Sequence, residues 1–397
     1  MTWPLVTLDS IKADVPYACV GGPFGSNLTS KHYVEEGVPV IRGQNLGGPG
    51  CFDESDFVFV TQEKADQLRP NLAFRGDVLF TQRGTLGQVG LIPLDSKYER
   101  YVVSQSQMKL SVDPGRVDAR YVYQYFRLES TIQKILNRTI TAGVPHINLG
   151  ILKSFEIPLP PLSGQQAIAE VAQAYDDLIA TNQRRIALLE GAARRLYREW
   201  FVHLRFPGHE SVPVKDGVPE GWALRALGDV APLNYGKALK ATERKDGAIP
   251  VYGSSGVVGH HNRALVGPGA IIVGRKGNVG SLYYSASPCF PIDTVFYIEP
   301  IAASYRLFLA LHSLNFISSD SAVPGLNRTY AHSLPLLTPS DEIAETFEAT
   351  VGPFFEQAEN LTRQNQQLAR ARDLLLPKLM SGQLDVSGIR LPEEVAA

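Results

Sequence analysis

The stretch GDVLFTQRGTLGQVG (76–90) decides how the chain is read, because it is written again as GAIIVGRKGNVGSL (269–282). In each, a glycine opens an apolar run, a basic residue precedes a second glycine, and a third glycine follows three positions later. Other blocks pair in the same order. Trp3, Leu5, Leu8 and Ile11 echo Trp222, Leu224, Leu227 and Val230, and VPV (38–40) echoes IPV (249–251). MKLSVDP (108–114) echoes TVFYIEP (294–300), GVPHINL (143–149) echoes AVPGLNR (322–328), and IPLPP (157–161) echoes LPLLTP (334–339). Six pairings in one order identify an internal duplication, with the second copy the shorter.

Each copy has two parts. The first is a series of short β-like runs broken by Gly, Asn and Pro, with one helical stretch near 119–137 or 303–318. The second is a long helix, expected from Gln165 to Glu199 in the first copy. Ile168, Tyr175, Asn182, Leu189 and Leu196 recur every seven residues there, with Ala172, Ile179, Ile186 and Ala193 on the companion ladder. In the second copy Phe347, Phe354, Leu361, Leu368 and Leu375 do the same, with Val351, Ala358 and Asn365 between them. That alternation is a coiled-coil seam, in which a polar residue such as Asn182 or Asn365 fixes register. The expected boundaries are a first domain over 1–162, a central helix over 163–206, a second domain over 207–340, a C-terminal helix over 341–382 and a tail over 383–397.

Composition limits the function. The chain has 397 residues, 44% hydrophobic and 20% charged, so disorder and collagen-like repeats are excluded. No run of 18 apolar residues occurs and the start carries no basic, apolar leader, so neither membrane insertion nor secretion is expected. Cys19, Cys51 and Cys289 are scattered, which fits a reducing cytoplasm. The net charge of −2 gives no global pull toward nucleic acid, so any DNA contact must come from local basic patches or be shared with a partner.

Gly269 to Lys276 misses a phosphate-binding loop, with its lysine one place late and Gly277 where the magnesium-binding hydroxyl would stand. Asp229 with Glu243 and Lys245 matches a bare nuclease pattern, but Thr242–Gly247 is a polar turn rather than a buried strand. Pro160-Pro161 lacks the preceding Asn or Asp that an amino-methyltransferase uses. His260-His261 is an isolated pair in a Gly-rich stretch read as a loop. No active site, cofactor site or metal site is expected in this chain.

What both copies do share is polar side chains framed by glycine. The first offers Arg42, Gln44 and Asn45, then Arg83 and Thr85 beside Gln82, then His146 and Asn148. The second offers Tyr252 and Ser254, then Arg275, Lys276 and Asn278, then Asn327 and Arg328. Arg, Asn and Gln make bidentate contacts to base edges, while Lys, Ser and Thr serve phosphates. One frame carrying different polar residues reads as one scaffold with two specificities. A coiled-coil scaffold with paired protein- or glycan-binding domains is the alternative from another class, and steep salt dependence of DNA binding discriminates against it.

At this point the sequence resembles the specificity subunit of type I restriction–modification systems, over nearly its whole length. PEGWALRALGDVA (219–231) resembles the family's entry to a target-recognition domain, and the start at Trp3 a trimmed version of it. HINLGILKSFEIPLPPLSGQQAIAE (146–170) resembles the exit into the central helix. LYREWFVHLRFPG (196–208) and LLLPKLMSGQLDV (374–386) resemble the two helix ends. Gln165-Gln166 departs from the more usual Glu-Gln, and LPLLTPSDEIAE (334–345) is a degenerate exit. The resemblance implies an α/β (α+β) fold of two target-recognition domains separated by two long antiparallel coiled-coil helices. It implies a non-catalytic, cytoplasmic subunit, with each domain reading one half of an asymmetric split site on double-stranded DNA. The implied partners are two methyltransferase subunits, which bind S-adenosylmethionine, and restriction subunits, which use ATP and Mg.

Overall fold

The computed structural model describes residues 3–47, 50–141, 143–316 and 325–386. The repeat residues Ala322, Val323 and Pro324, and the tail beyond 386, lie outside them. The chain forms two compact units, one from Met1–Asn182 with Gln364–Ala397 and the other from Gln183–Arg363.

The first unit begins with β1 (Leu5–Thr7), α1 (Leu8–Ile11), β2 (Cys19–Gly21), β3 (Val38–Ile41), β4 (Val58–Val60), α2 (Gln62–Gln67), β5 (Leu72–Phe74), β6 (Val78–Thr81), β7 (Val89–Leu91), β8 (Arg100–Val103) and β9 (Gln107–Leu110). Then come α3 (Ala119–Arg127), α4 (Glu129–Asn137), α5 (Leu149–Lys153), β10 (Glu156–Pro158) and the start of α6 (Leu162–Tyr197). Two four-stranded sheets run β2-β9-β6-β7 and β4-β3-β8-β5, and β1 pairs with β10. The run Val-Leu-Phe-Thr of β6 is buried throughout, as expected of a strand covered on both faces. Asp118 caps α3 by accepting from the Arg120 amide, and Phe126 meets Phe80 edge-on at 4.9 Å between ring centroids.

The second unit repeats this plan. After a hairpin of β11 (Val214–Lys215) and β12 (Val218–Pro219) come β13 (Ala223–Ala226), α7 (Leu227–Val230), β14 (Asn234–Tyr235), β15 (Ile249–Gly253), β16 (Gly256–His261), β17 (Ala270–Gly274), β18 (Leu282–Ser285), β19 (Phe290–Pro291) and β20 (Val295–Ile298). They are followed by α8 (Tyr305–Leu311), α9 (Arg328–Ser333), β21 (Pro335–Thr338) and α10 (Asp341–Met380), whose C-terminal part belongs to the first unit. The order β14-β20-β17-β18 matches β2-β9-β6-β7, and β13-β21 matches β1-β10. Registers refine the sequence pairing. Phe80 faces Met108 and Val273 faces Phe296, so Met108 corresponds to Phe296, two positions off the block alignment at 108 and 294. The first copy therefore carries two extra residues between this strand and its Asp113-Pro114.

The helices pack within each unit along the foreseen ladders. In the first unit Ile168, Ala172 and Asn182 of α6 are buried, while Tyr175 and Ile179 are half-buried, as are Leu368 and Leu375 of α10. The Asn182 amide donates to Asn365 Oδ1 at 2.9 Å, and Asn365 donates to the Ile179 carbonyl at 3.3 Å. In the second unit Ala193, Phe347, Val351 and Leu361 are buried, with Ile186, Leu189 and Phe354 half-buried. α10 continues through Pro353, which lies between Val351 and Phe354 of this apolar stripe. Where continuous α-helix was expected to Glu199, α6 ends at Tyr197 and a π-helical turn spans Arg198–Val202. The turn sets Trp200 and Phe201 on Phe347, at 5.4 and 4.9 Å between ring centroids.

Gln165, the first of the Gln165-Gln166 pair, is fully buried. Its amide donates to the carbonyls of Arg116 and Pro160, and its oxygen accepts from the Asp118 amide. A carboxylate could not make the two donations, so the first copy's entry to α6 requires the neutral residue.

Asp176 joins three elements of the first unit, accepting from Arg127 of α3 at 2.5 Å and from Arg372 of α10. Burial pushes its carboxyl upward, but the two guanidiniums outweigh that and hold it below the ordinary 3.8. Its stabilising effect is therefore present above the unfolded-state value and lost as pH falls through the lower folded one. Asp176→Asn leaves two arginines facing each other and is expected to cost about 3 kcal/mol in urea unfolding at neutral pH. The deficit should shrink at pH 3, and a variant equally destabilised at both pH values would contradict this role.

Candidate nucleic-acid interface

Three polar loops of the first unit meet at one end of the β6 sheet. The Ser106 carbonyl accepts from both the Gln82 and Arg83 amides, at 2.7 and 3.2 Å, and holds the chain as it leaves β6. The Ile147 amide donates to the Gln82 carbonyl, and Arg83 and His146 form a bridge, so the 146–148 segment lies alongside. The Arg42–Asn45 turn packs against the same place through Gln88, whose amide donates to the Leu46 carbonyl at 3.3 Å. Gly84, at φ +103°, adopts the backbone conformation that reverses the turn and that side-chain-bearing residues rarely take.

The second unit assembles its loops by the same bonds. The Thr294 carbonyl accepts from the Arg275 and Lys276 amides at 2.9 and 3.0 Å, and the Leu326 amide donates to the Arg275 carbonyl. Asn278 donates to the Ser255 hydroxyl at 3.2 Å, and Ser281 donates to the Ser254 carbonyl at 2.7 Å. Gly22 and Gly236 close both frames. A Cβ on either would stand 1.9 or 2.1 Å from the carbonyl oxygen of Ser104 or Ile292.

Within these frames the foreseen residues divide. Arg83, Thr85, Lys276, Asn278 and Arg328 are exposed, and Arg275 and His146 are partly so. Arg42 and Gln44 are tied to Asp56, the first through its carbonyl at 2.7 Å and the second also through its carboxylate. Asn45 is a correction. It is 1% exposed, accepts from the Arg42 amide and donates to the carbonyls of Asp53 and Ser55, so it builds the loop and presents nothing. Asn148 and Asn327 cap α5 and α9, accepting from the amides of Ile151 and Tyr330. Tyr252 and Ser254 are partly covered, with Tyr252 packed on Tyr283 at 6.1 Å. Sequence reasoning missed Asp56, Gln88 and Tyr235, because each acts on a loop distant in the chain.

The nuclease-like, paired-histidine and phosphate-loop-like residues have structural roles. Glu243 ends a 3₁₀ turn (Ala241–Glu243) while Asp229 sits in α7. His260 and His261 lie on β16, not in a loop, and His261 Nδ1 accepts from the Lys245 amide at 3.0 Å. Gly269–Lys276 is β17 running into a turn, without the helix a phosphate loop requires. Among the described residues no group of three His, Cys, Asp or Glu could hold a metal, and no helix is long and apolar enough to cross a membrane.

Comparison with known proteins agrees with the duplicated plan. Residues 26–191 and 219–370 each match the family described as type I restriction modification DNA specificity domain. The type I restriction enzyme MjaIX specificity subunit of Methanocaldococcus jannaschii is 23% identical over 359 residues, covering 82% of either chain. The HindI specificity subunit of Haemophilus influenzae is 20% identical over 404 residues, covering 78% of this chain and 87% of that one. The crystal structure of the S subunit of a type I system from M. genitalium superposes with a TM-score of 0.59 at 19% identity, over 96% of each chain. With two matched regions that take in the greater part of its length, the chain belongs to the family of type I restriction–modification DNA specificity proteins.

Proposed function

We propose that this chain is the sequence-reading subunit of a type I restriction–modification complex and is not itself a catalyst. Its two recognition domains, over 1–162 and 207–340, each read one half of a split site on double-stranded DNA. One observation carries the reading. The same backbone bonds hold two of the three loops in each copy, yet the side chains at their turns differ, with Arg83 and Thr85 in one and Arg275, Lys276, Asn278 and Arg328 in the other. A shared frame with exchanged contact residues is what two specificities on one scaffold require. S-adenosylmethionine, ATP and Mg are assigned to two methyltransferase subunits and to restriction subunits, in the cytoplasm.

Methylation mapping in a host that carries the chain with its methyltransferase partner tests this. A two-part motif is expected. Arg83→Ala should cost about 1–3 kcal/mol of discrimination at bases of one half only. Equal relaxation of both halves would contradict the assignment of one domain to one half-site.

The helices are proposed to set the spacer. The 36 residues of α6 span about 54 Å, more than one DNA turn of about 34 Å. Seven residues inserted after Leu189 preserve the seam and add about 10 Å, an upper limit of about 3 base pairs. Because α10 is not lengthened, the spacer should grow by about one to three base pairs with both half-sites unchanged. An unchanged spacer at full activity would show that α6 is not the ruler.

A further inference from the structure

The second copy carries a cluster that the first lacks. Tyr235, at the end of β14, is 48% exposed, and its ring lies 4.9 Å from that of Phe296. The guanidinium carbon of Arg275 is 4.9 Å from the Tyr235 ring centroid, and that of Arg328 is 5.0 Å from it. Arg275 also lies 5.6 Å from the Phe296 centroid and donates to the Asp293 carbonyl at 3.3 Å. Among the described residues neither guanidinium takes part in an ion pair.

Strand register identifies the counterparts. Tyr235 faces Phe296, which faces Val273; Gly21 faces Met108, which faces Phe80. Gly21 thus stands where Tyr235 stands. Gln82 corresponds to Arg275, since each is the first of two amides bound to the Ser106 or Thr294 carbonyl. Leu149 corresponds to Arg328, since each follows a capping asparagine. All three members change together while the frame around them is kept. A Cβ on Gly21 would lie 3.3 Å from Gln82 Oε1, so a ring at that place would press on the glutamine.

Two guanidiniums on one ring repel each other, and the face of the ring offsets only part of that. Acceptor oxygens of DNA supply what is missing, whether on a phosphate or on a guanine edge. We propose that Tyr235 is a positioning residue for DNA recognition, holding Arg275 and Arg328 as a paired-guanidinium anchor that only the second domain uses. This rests on the reading under Proposed function.

The test uses the chain in complex with its methyltransferase subunit, comparing wild type, Tyr235→Ala and Tyr235→Phe by methylation mapping and rate, with melting temperature as a fold control. Tyr235→Ala should slow methylation of the wild-type motif about tenfold. The bases affected should lie in the half-site that Arg83→Ala leaves alone. Tyr235→Phe, which keeps the ring face, should restore both rate and motif. A drop confined to one base position assigns the anchor to a guanine edge, and a uniform drop across sequences with a shallower salt dependence assigns it to phosphate. Either supports the proposal. It is overturned by an unchanged motif at the wild-type rate, by relaxation in the half-site that Arg83 affects, or by a Phe variant as impaired as Ala. A wild-type complex that directs no two-part motif overturns the functional reading itself.

Discussion

One carbonyl in each copy decides where the polar loops stand. The Ser106 oxygen accepts two successive amides, Gln82 and Arg83, and the Thr294 oxygen accepts Arg275 and Lys276. A carbonyl has two lone pairs, and here both are spent on the chain leaving the central strand. The neighbouring carbonyl, of Gln82 or Arg275, then receives the amide of Ile147 or Leu326, which brings in the third loop. Every one of these bonds is between backbone groups, so the frame persists while side chains at 82, 83, 275 and 276 are free to differ. That separation of frame from contact residue lets one architecture carry two readings.

The duplication and the helical ladders were legible in the sequence because both rest on spacing. Glycines recur where the backbone turns back or approaches a neighbour closely, as at Gly84 and Gly277, and seam residues recur every seven. The three loops could be named from their polar residues, but the division of labour within them could not. Asn45 looks like a base-reading side chain in sequence and is a buried strut in the fold, because Asp53 and Ser55 fold back over it. Tyr235 looks like an ordinary strand residue until Arg275 and Arg328 close on it from 40 and 93 positions away. The π turn at Arg198–Val202 was hidden for the same reason, since Trp200 and Phe201 are drawn out of the α-helical path by Phe347, far along the chain.

Three polar contacts are set inside otherwise apolar packing among the described residues of the first unit. Asn182 meets Asn365 in the helix seam, Asp176 holds Arg127 and Arg372, and Lys109 meets Asp77 at 3.1 Å in the core of the first unit. A slip of α10 by one turn would part Asn182 from Asn365 and Asp176 from Arg372, a cost that fixes register more firmly than apolar contacts alone. The coupling of α3 to both long helices through Asp176 makes the first recognition region and its helical support one structural body.

The central claim is that half-site specificity resides in each copy separately. Replacing residues 222–338 by a duplicate of 3–159 exchanges one region for its counterpart at matching closing strands, β1 with β10 for β13 with β21. The methylation map of that chain, read with the methyltransferase partner, should show two half-sites of the same base content. A map that kept the original second half-site, or one that lost its two-part form, would contradict the account.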